Sequence, residues 1–234
     1  MNILRNNLRV DGRERFEIRN IKIENGMVES IPFIELTMGA TIIRSSMKKV
    51  YDQRNLIKTN IQYFETTQSC GKKYHAEIEE IKQKINGIFG NIMINTTEKI
   101  ELDITIKQNN GSLMSCIINC VSLLLCYGGI NLRDVVVSCS AVIYDNKPLV
   151  DPCEYEEEQN LTKFILAYSS AEDKVNMLLI DNKFDIKLLG KVYNTVKLAA
   201  IEMHKSFEIF LKSRVEAEKF ECKEFGCIKI QNGF

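Results

Sequence analysis

The stretch at residues 99–129, KIELDITIKQNNGSLMSCIINCVSLLLCYGG, decides the fold class. Its opening alternates, with Ile100, Leu102, Ile104 and Ile106 on one face and polar residues on the other. That two-residue period belongs to a strand buried on one side. Asn109-Asn110-Gly111-Ser112 reads as a turn. Ser112 suits the N-cap of a helix from Met114 to Tyr127, which Gly128-Gly129 ends. The helix is apolar nearly all round, so neighbours must cover it on most sides.

Working outward, His75 to Phe89 carries apolar residues at Ile78, Ile81, Ile85, Ile88 and Phe89, one face of a helix, with Gly90 as its stop. Residues 18–23 and the run Phe33 to Ile43 read as strands, the second with a bulge at Gly39. Residues 48–60 are polar and charged, and read as a loop. Downstream, Val135 to Tyr144 is a strong strand and Asp145-Asn146 starts a turn. Asp151 to Asn160 reads as an acidic loop, in which the run Glu154–Glu158 is solvated. Lys163–Tyr168 and Val175–Ile180 form a strand pair. A long helix spans Asp185 to Val215, with Leu188, Val192, Val196, Met203 and Phe207 in its apolar stripe. Strand pairs mixed with helices predict α+β layers rather than a doubly wound sheet. The expected organisation is one domain over residues 1–215, followed by a loosely ordered tail over 216–234.

Composition narrows the function. A chain of 234 residues buries roughly 70% of its unfolded surface. Residues are 45% hydrophobic and 26% charged, so the chain is globular. Lys+Arg and Asp+Glu are both 31. Zero net charge argues against a free-standing nucleic-acid binder, whose affinity comes from excess positive charge. The longest apolar run, Ile117 to Tyr127, is too short for a membrane span, and the N-terminus lacks the apolar core of a signal peptide. The eight cysteines are then expected as free thiols of a reducing compartment. Four of them, Cys116, Cys120, Cys126 and Cys139, lie in apolar segments where a thiol packs as a small hydrophobe. No C-x-x-C pair exists, and His75 and His204 are isolated, so no metal site is expected.

Several segments together resemble the RNase PH-type exosome ring subunits. Leu8-Arg9-Val10-Asp11-Gly12-Arg13 is similar to the family's opening signature. GGINLRDVVVSCS at 128–140 is similar to its turn-then-strand segment. Leu149-Val150-Asp151 with Glu156-Glu157-Glu158 is similar to its LVD…EED segment, and Lys72-Lys73 stand in the place of a paired arginine. The landmarks keep their order from about residue 8 to residue 212 and are most similar to the lineage of ribosomal RNA-processing protein forty-one. The resemblance implies an RNase PH fold, with β-α-β-α layers of the ribosomal protein S5 domain 2 type. It implies a six-membered ring of such chains under S1- and KH-type cap subunits, threading single-stranded RNA and working with an associated hydrolytic ribonuclease. It also implies rRNA processing in the nucleus (nucleolus) and RNA degradation in the cytoplasm. Asp11, Arg13, Arg133 and Asp134 are expected to fix turns.

Active members of the family perform phosphorolysis. Phosphate sits by a G-[TS]-R turn that opens a helix, where the arginine forks around it. This chain has Gly111-Ser112-Leu113 instead, so the arginine's place is taken by a side chain with no donor and no charge. Removing one such donor costs about 10²–10³ in rate. Of the family's two aspartates, the resemblance keeps Asp151 and puts Glu157 at the second. Asp151, Glu157, Ser112 and Leu113 are therefore remnant positions, no catalytic residue and no cofactor is expected, and the chain reads as a non-catalytic subunit. The alternative is an active phosphorolytic 3′-5′ exoribonuclease that uses inorganic phosphate. RNA contacts can outlast the chemistry, and the candidates are Lys72, Lys73, Lys48, Lys49 and Arg54.

Overall fold

The computed structural model describes residues 3–5, 8–50, 56–64, 72–94 and 99–224; side chains at 5, 72–75 and 217–224 lie outside that description. A small antiparallel pair, β1 (Leu4–Arg5) and β2 (Leu8–Arg9), precedes β3 (Ile21–Val28), β4 (Ile31–Met38), β5 (Thr41–Val50) and β6 (Ile57–Tyr63). Helix α1 (Lys72–Ile92) leads to β7 (Lys99–Gln108), and α2 (Leu113–Tyr127) to β8 (Val136–Tyr144) and β9 (Lys147–Val150). A one-turn helix α3 (Glu154–Glu157), the hairpin β10 (Thr162–Ser169) and β11 (Lys174–Asp181), a 3₁₀ turn at Ile186–Leu188 and α4 (Leu189–Glu224) complete the order. The arrangement is α+β in a single domain, as the patterning predicts.

Two sheets form. One is five-stranded in the order β3-β4-β5-β7-β6, the other four-stranded in the order β11-β10-β8-β9. All pairings are antiparallel except β6 with β7, which run parallel because α1 carries the chain across between them. The all-round apolarity of α2 is explained by its position. It lies against β4 and β5 of one sheet and β8 of the other, and touches α4. Ser115 through Leu125 are accordingly buried along its whole circumference. Helix α4 covers β8, β9 and β10, burying Val192, Val196, Met203 and Phe207.

Several sequence expectations are corrected. The run Phe33 to Ile43 is not one bulged strand. Met38 pairs with Thr41, and Gly39-Ala40 make a two-residue hairpin turn. Gly39 has φ +60°, which glycine adopts without a Cβ penalty. The segment 48–60 is not one loop, because Lys48 and Lys49 end β5 and Ile57 to Tyr63 form β6. In β6 the polar Lys58 and Asn60 point outward between the buried Ile57, Thr59 and Ile61. Gly90 lies inside α1 and does not end it. Helix α4 runs past Val215 to Glu224, through a stretch rich in Glu, Ala and Lys, which are strong helix formers. The residues beyond it lie outside the described ones.

The cysteines behave as packed hydrophobes. Cys116, Cys120 and Cys139 are buried and free. Burial pushes the Cys120 thiol up to about 12 and the half-buried Cys126 to about 11, so neither offers a thiolate near neutral pH. Cys70, Cys222 and Cys227 lie outside the described residues or side chains.

Candidate active-site cleft

Three arginines from the N-terminal segment hold the base of the site. Arg9 is fully buried and forks onto Glu156, with its Nη1 also donating to the Val150 carbonyl at 2.6 Å. Arg13 donates to Asp11 at 2.8 Å and to the Asp151 carbonyl at 3.1 Å. Arg19 clasps Asp151 with two guanidinium nitrogens at 2.9 and 2.7 Å, and its backbone N–H adds a third bond at 2.9 Å. Burial opposes the charge on Asp151, but the bonds and the positive charge of Arg19 outweigh it and hold the carboxyl below the usual range. Arg19 also donates to the carbonyls of Asn110 and Gly111, which Thr41 Oγ1 joins at 2.9 Å. One guanidinium thus pins the 109–112 turn to residue 151.

Ser112 stands at the start of α2 in the left-handed region, φ +53°. Its side chain makes no capping bond, contrary to the expected N-cap. Its Oγ donates instead to the Pro152 carbonyl at 2.9 Å and accepts from Ser140 Oγ at 2.7 Å. Its backbone N–H donates to Glu157 Oε1 at 2.7 Å. The other oxygen of Glu157 receives Lys163 Nζ at 3.0 Å. The N–H of the residue before α2 is therefore already engaged by a carboxylate of the same chain, placed near the positive end of the helix dipole. Leu113 is 6% exposed and packs into the core behind it.

Gly111 allows this turn to sit against residues 152–154. Its φ is +89°, and an added Cβ would lie 2.5 Å from the Cys153 carbonyl carbon and the Pro152 oxygen. Gly111→Ala is expected to cost about 1–3 kcal/mol, as strain plus backbone collision. Urea unfolding checks this; an unchanged midpoint would show that the two loops are not in register as described.

Above the turn lies a cleft of about 390 Å³. Its walls come from α1, the start of α2, β8, β10 and β11. Leu113, Ile165, Leu179 and Ile180 supply apolar surface, and Glu77, Glu80, Glu157 and Asp181 supply carboxylates. Lys163 is the one lining cation among the described residues, and Glu157 holds it.

The remnant positions therefore separate. Ser112, Leu113 and Glu157 line the cleft, whereas Asp151 does not; it is 1% exposed and locked to Arg19. The acidic run is not a solvated loop, because Glu154–Glu157 form α3 and Glu156 is fully buried against Arg9. Among the basic candidates, Lys48 and Lys49 sit seven and eight residues along β5 from Thr41, the residue that bonds the 111 turn, which is about 23–26 Å of strand. Lys48 faces Glu101 across the sheet. They belong to a shallow groove beside Met27 and Tyr127, not to the cleft. Lys72 and Lys73 open α1, with side chains outside the description, and Arg54 lies outside the described residues. Among the described residues no metal-ligand cluster exists. Asp134 fixes a turn, as expected, by accepting from the N–H groups of Val135, Ala171 and Glu172.

The sequence reading missed Arg19, Lys163, Glu77, Glu80 and Asp181. Arg19 meets Asp151 across 132 residues, and no local pattern announces that. Lys163 follows Glu157 by six residues, a spacing with no helical or strand meaning until α3 and β10 turn toward each other.

Residues 134–193 match the model of the 3′ exoribonuclease family, domain 2. The chain is 24% identical over 227 residues to exosome complex component RRP41 of Mus musculus, covering 89% of this chain and 92% of that one. It is 26% identical over 214 residues to exosome complex component Rrp41 of Methanopyrus kandleri, covering 82% and 85%. In structure it is similar to rice Rrp46, with a TM-score of 0.77 and 16% identity over 87% of this chain and 100% of that one. It is also similar to a chain of the Archaeoglobus fulgidus exosome with RNA bound to the active site, with a TM-score of 0.69 and 19% identity over 86% and 93%.

Proposed function

We propose, for a chain that has the RNase PH fold and is a homologue of exosome component RRP41, a non-catalytic role as a ring subunit of a eukaryotic exosome core. It scaffolds the ring and guides RNA toward 3′-to-5′ degradation and rRNA processing, in the nucleolus and the cytoplasm. Its partners in this reading are other RNase PH-like chains, S1/KH-type cap subunits and an associated hydrolytic ribonuclease.

One observation carries the reading: the carboxylate of Glu157 sits on the Ser112 N–H, with Lys163 on its other side. Phosphorolysis needs inorganic phosphate held by cationic donors and aligned on the terminal phosphodiester. Here the N–H of Ser112, at the turn that would receive phosphate, is taken by an internal anion, and the arginine's place is taken by Leu113. A phosphate brought beside a carboxylate meets repulsion of about 1–4 kcal/mol per pair of unit charges at 4 Å. Lys163 cancels part of this repulsion, but it is held by Glu157, so the pair supplies no net positive charge with which to capture phosphate. Asp151 cannot assist proton transfer or hold a metal while Arg19 occupies both its oxygens.

The test has two parts. Affinity capture of the tagged chain from its own cells is expected to recover other RNase PH-like chains and cap proteins in stoichiometric amounts. The recovered complex, with its hydrolytic subunit inactivated, is expected to release no nucleoside diphosphate from a 3′-single-stranded RNA in phosphate. Capture of the chain alone would defeat the subunit reading, and release that stops when Glu157 is replaced would defeat the non-catalytic one.

A further inference from the structure

We infer that the cleft beside α1 and β11 is a docking site for an extended, lysine- or arginine-bearing peptide segment of a protein partner. The inference rests on the non-catalytic reading above, because it assigns the same cleft a new occupant.

Charge is the first argument. Once Lys163 is paired with Glu157, the cleft keeps Glu77, Glu80 and Asp181 with no ion-pair partner among the described residues. Three carboxylates around one concavity, with no cation paired to them among the described side chains, favour a cation and repel a phosphodiester chain. Shape and polarity are the second. The volume of about 390 Å³ lies in the range of ligand-sized clefts, and its floor of Leu113, Ile165, Leu179 and Ile180 is aliphatic. A lysine or arginine suits that combination, since its methylene stem lies on apolar surface while its head reaches carboxylates. The third argument selects a peptide over a small amine. β11 is the edge of its sheet, and no described strand pairs with its outer side. Along that edge Val175 and Leu178 are exposed, at 39% and 44%. An extended segment can add its backbone to such an edge and place alternate side chains toward the cleft.

The experiment is display selection of random ten-residue peptides on the immobilised full-length chain. A parallel selection uses the Glu77→Gln, Glu80→Gln, Asp181→Asn variant. All three side chains are exposed, and circular dichroism checks that the variant folds. Glu80→Lys alone serves as a second variant. The expected result is enrichment of peptides with lysine or arginine beside aliphatic residues, whose affinity falls at least tenfold in either variant. Enrichment of acidic or uncharged peptides, no enrichment, or binding indifferent to both variants overturns the inference. So does binding of a single-stranded oligoadenylate that is lost in the same variants, which would assign the cleft to RNA. The selection contains neither RNA nor phosphate, so its failure leaves the non-catalytic reading standing. Diphosphate release would instead remove that reading.

Discussion

Arg19→Ala is expected to lower the unfolding free energy by about 3–5 kcal/mol, the cost of leaving a buried charge without its partner. The remaining charge is Asp151, which is 1% exposed and would lose its bidentate clasp. The same substitution releases the carbonyls of Asn110 and Gly111, so the turn before α2 loosens too. Arg19→Lys is expected to recover part of the loss, because an ammonium cannot fork onto two oxygens. Chemical denaturation of the three proteins measures this; equal midpoints for wild type and Arg19→Ala would refute it. A pH dependence follows from the same pair. The Asp151 carboxyl is held below its ordinary value in the fold, so its contribution is complete above the unfolded value near pH 4. The contribution is lost as pH falls through the lower, folded value. In Arg19→Ala that acid-side loss should be much smaller.

Phe207→Ala is expected to cost about 3–5 kcal/mol, the range for emptying a buried aromatic site. Phe207 is fully buried and is the last buried residue of α4 among those described. From there to residue 216 the helix presents half-exposed or exposed side chains such as Ile209 and Val215. Removing the ring therefore cuts the anchor of the whole C-terminal half of α4, while Val192 and Val196 keep the first half docked. Hydrogen exchange should accelerate after residue 203 and stay slow before 197. Uniform acceleration along α4 would mean that the helix docks as one unit, contrary to this reading.

The fold was legible where one period ran uninterrupted. The alternation of Ile100 to Ile106, the apolar α2 and the strong β8 strand all survive in the structure. Legibility failed where two elements shared one period. Phe33 to Ile43 reads continuously because apolar residues flank both sides of a turn only two residues long. It failed again where charges obscured a strand, as at Lys48 and Lys49. The candidate site was half visible. Ser112, Leu113 and Glu157 do meet in one cleft, since the turn and α3 face each other across Gly111. Asp151 does not line that cleft, and no local pattern announces this, because the residue that locks it, Arg19, is far away in the chain. Glu156 was read as solvated for the same reason, as its partner Arg9 is 147 residues distant.

On the non-catalytic reading proposed above, the bond between Ser112 and Glu157, with Lys163 behind it, constrains the order of any changes toward a phosphate site. An arginine placed at position 113 would enter a cleft where Glu157 already holds the neighbouring Ser112 N–H, so a carboxylate would compete with phosphate for it. Removing Glu157 first would take from Lys163 its ion-pair partner and leave the Ser112 amide without its acceptor. Changing Lys163 first would leave Glu157 uncompensated in a cleft that already holds three other carboxylates. Each single step toward a phosphate site is thus unfavourable until the others have been taken. The contact works as a ratchet: it holds the chain in its present state by making the path to a phosphate site require several simultaneous changes.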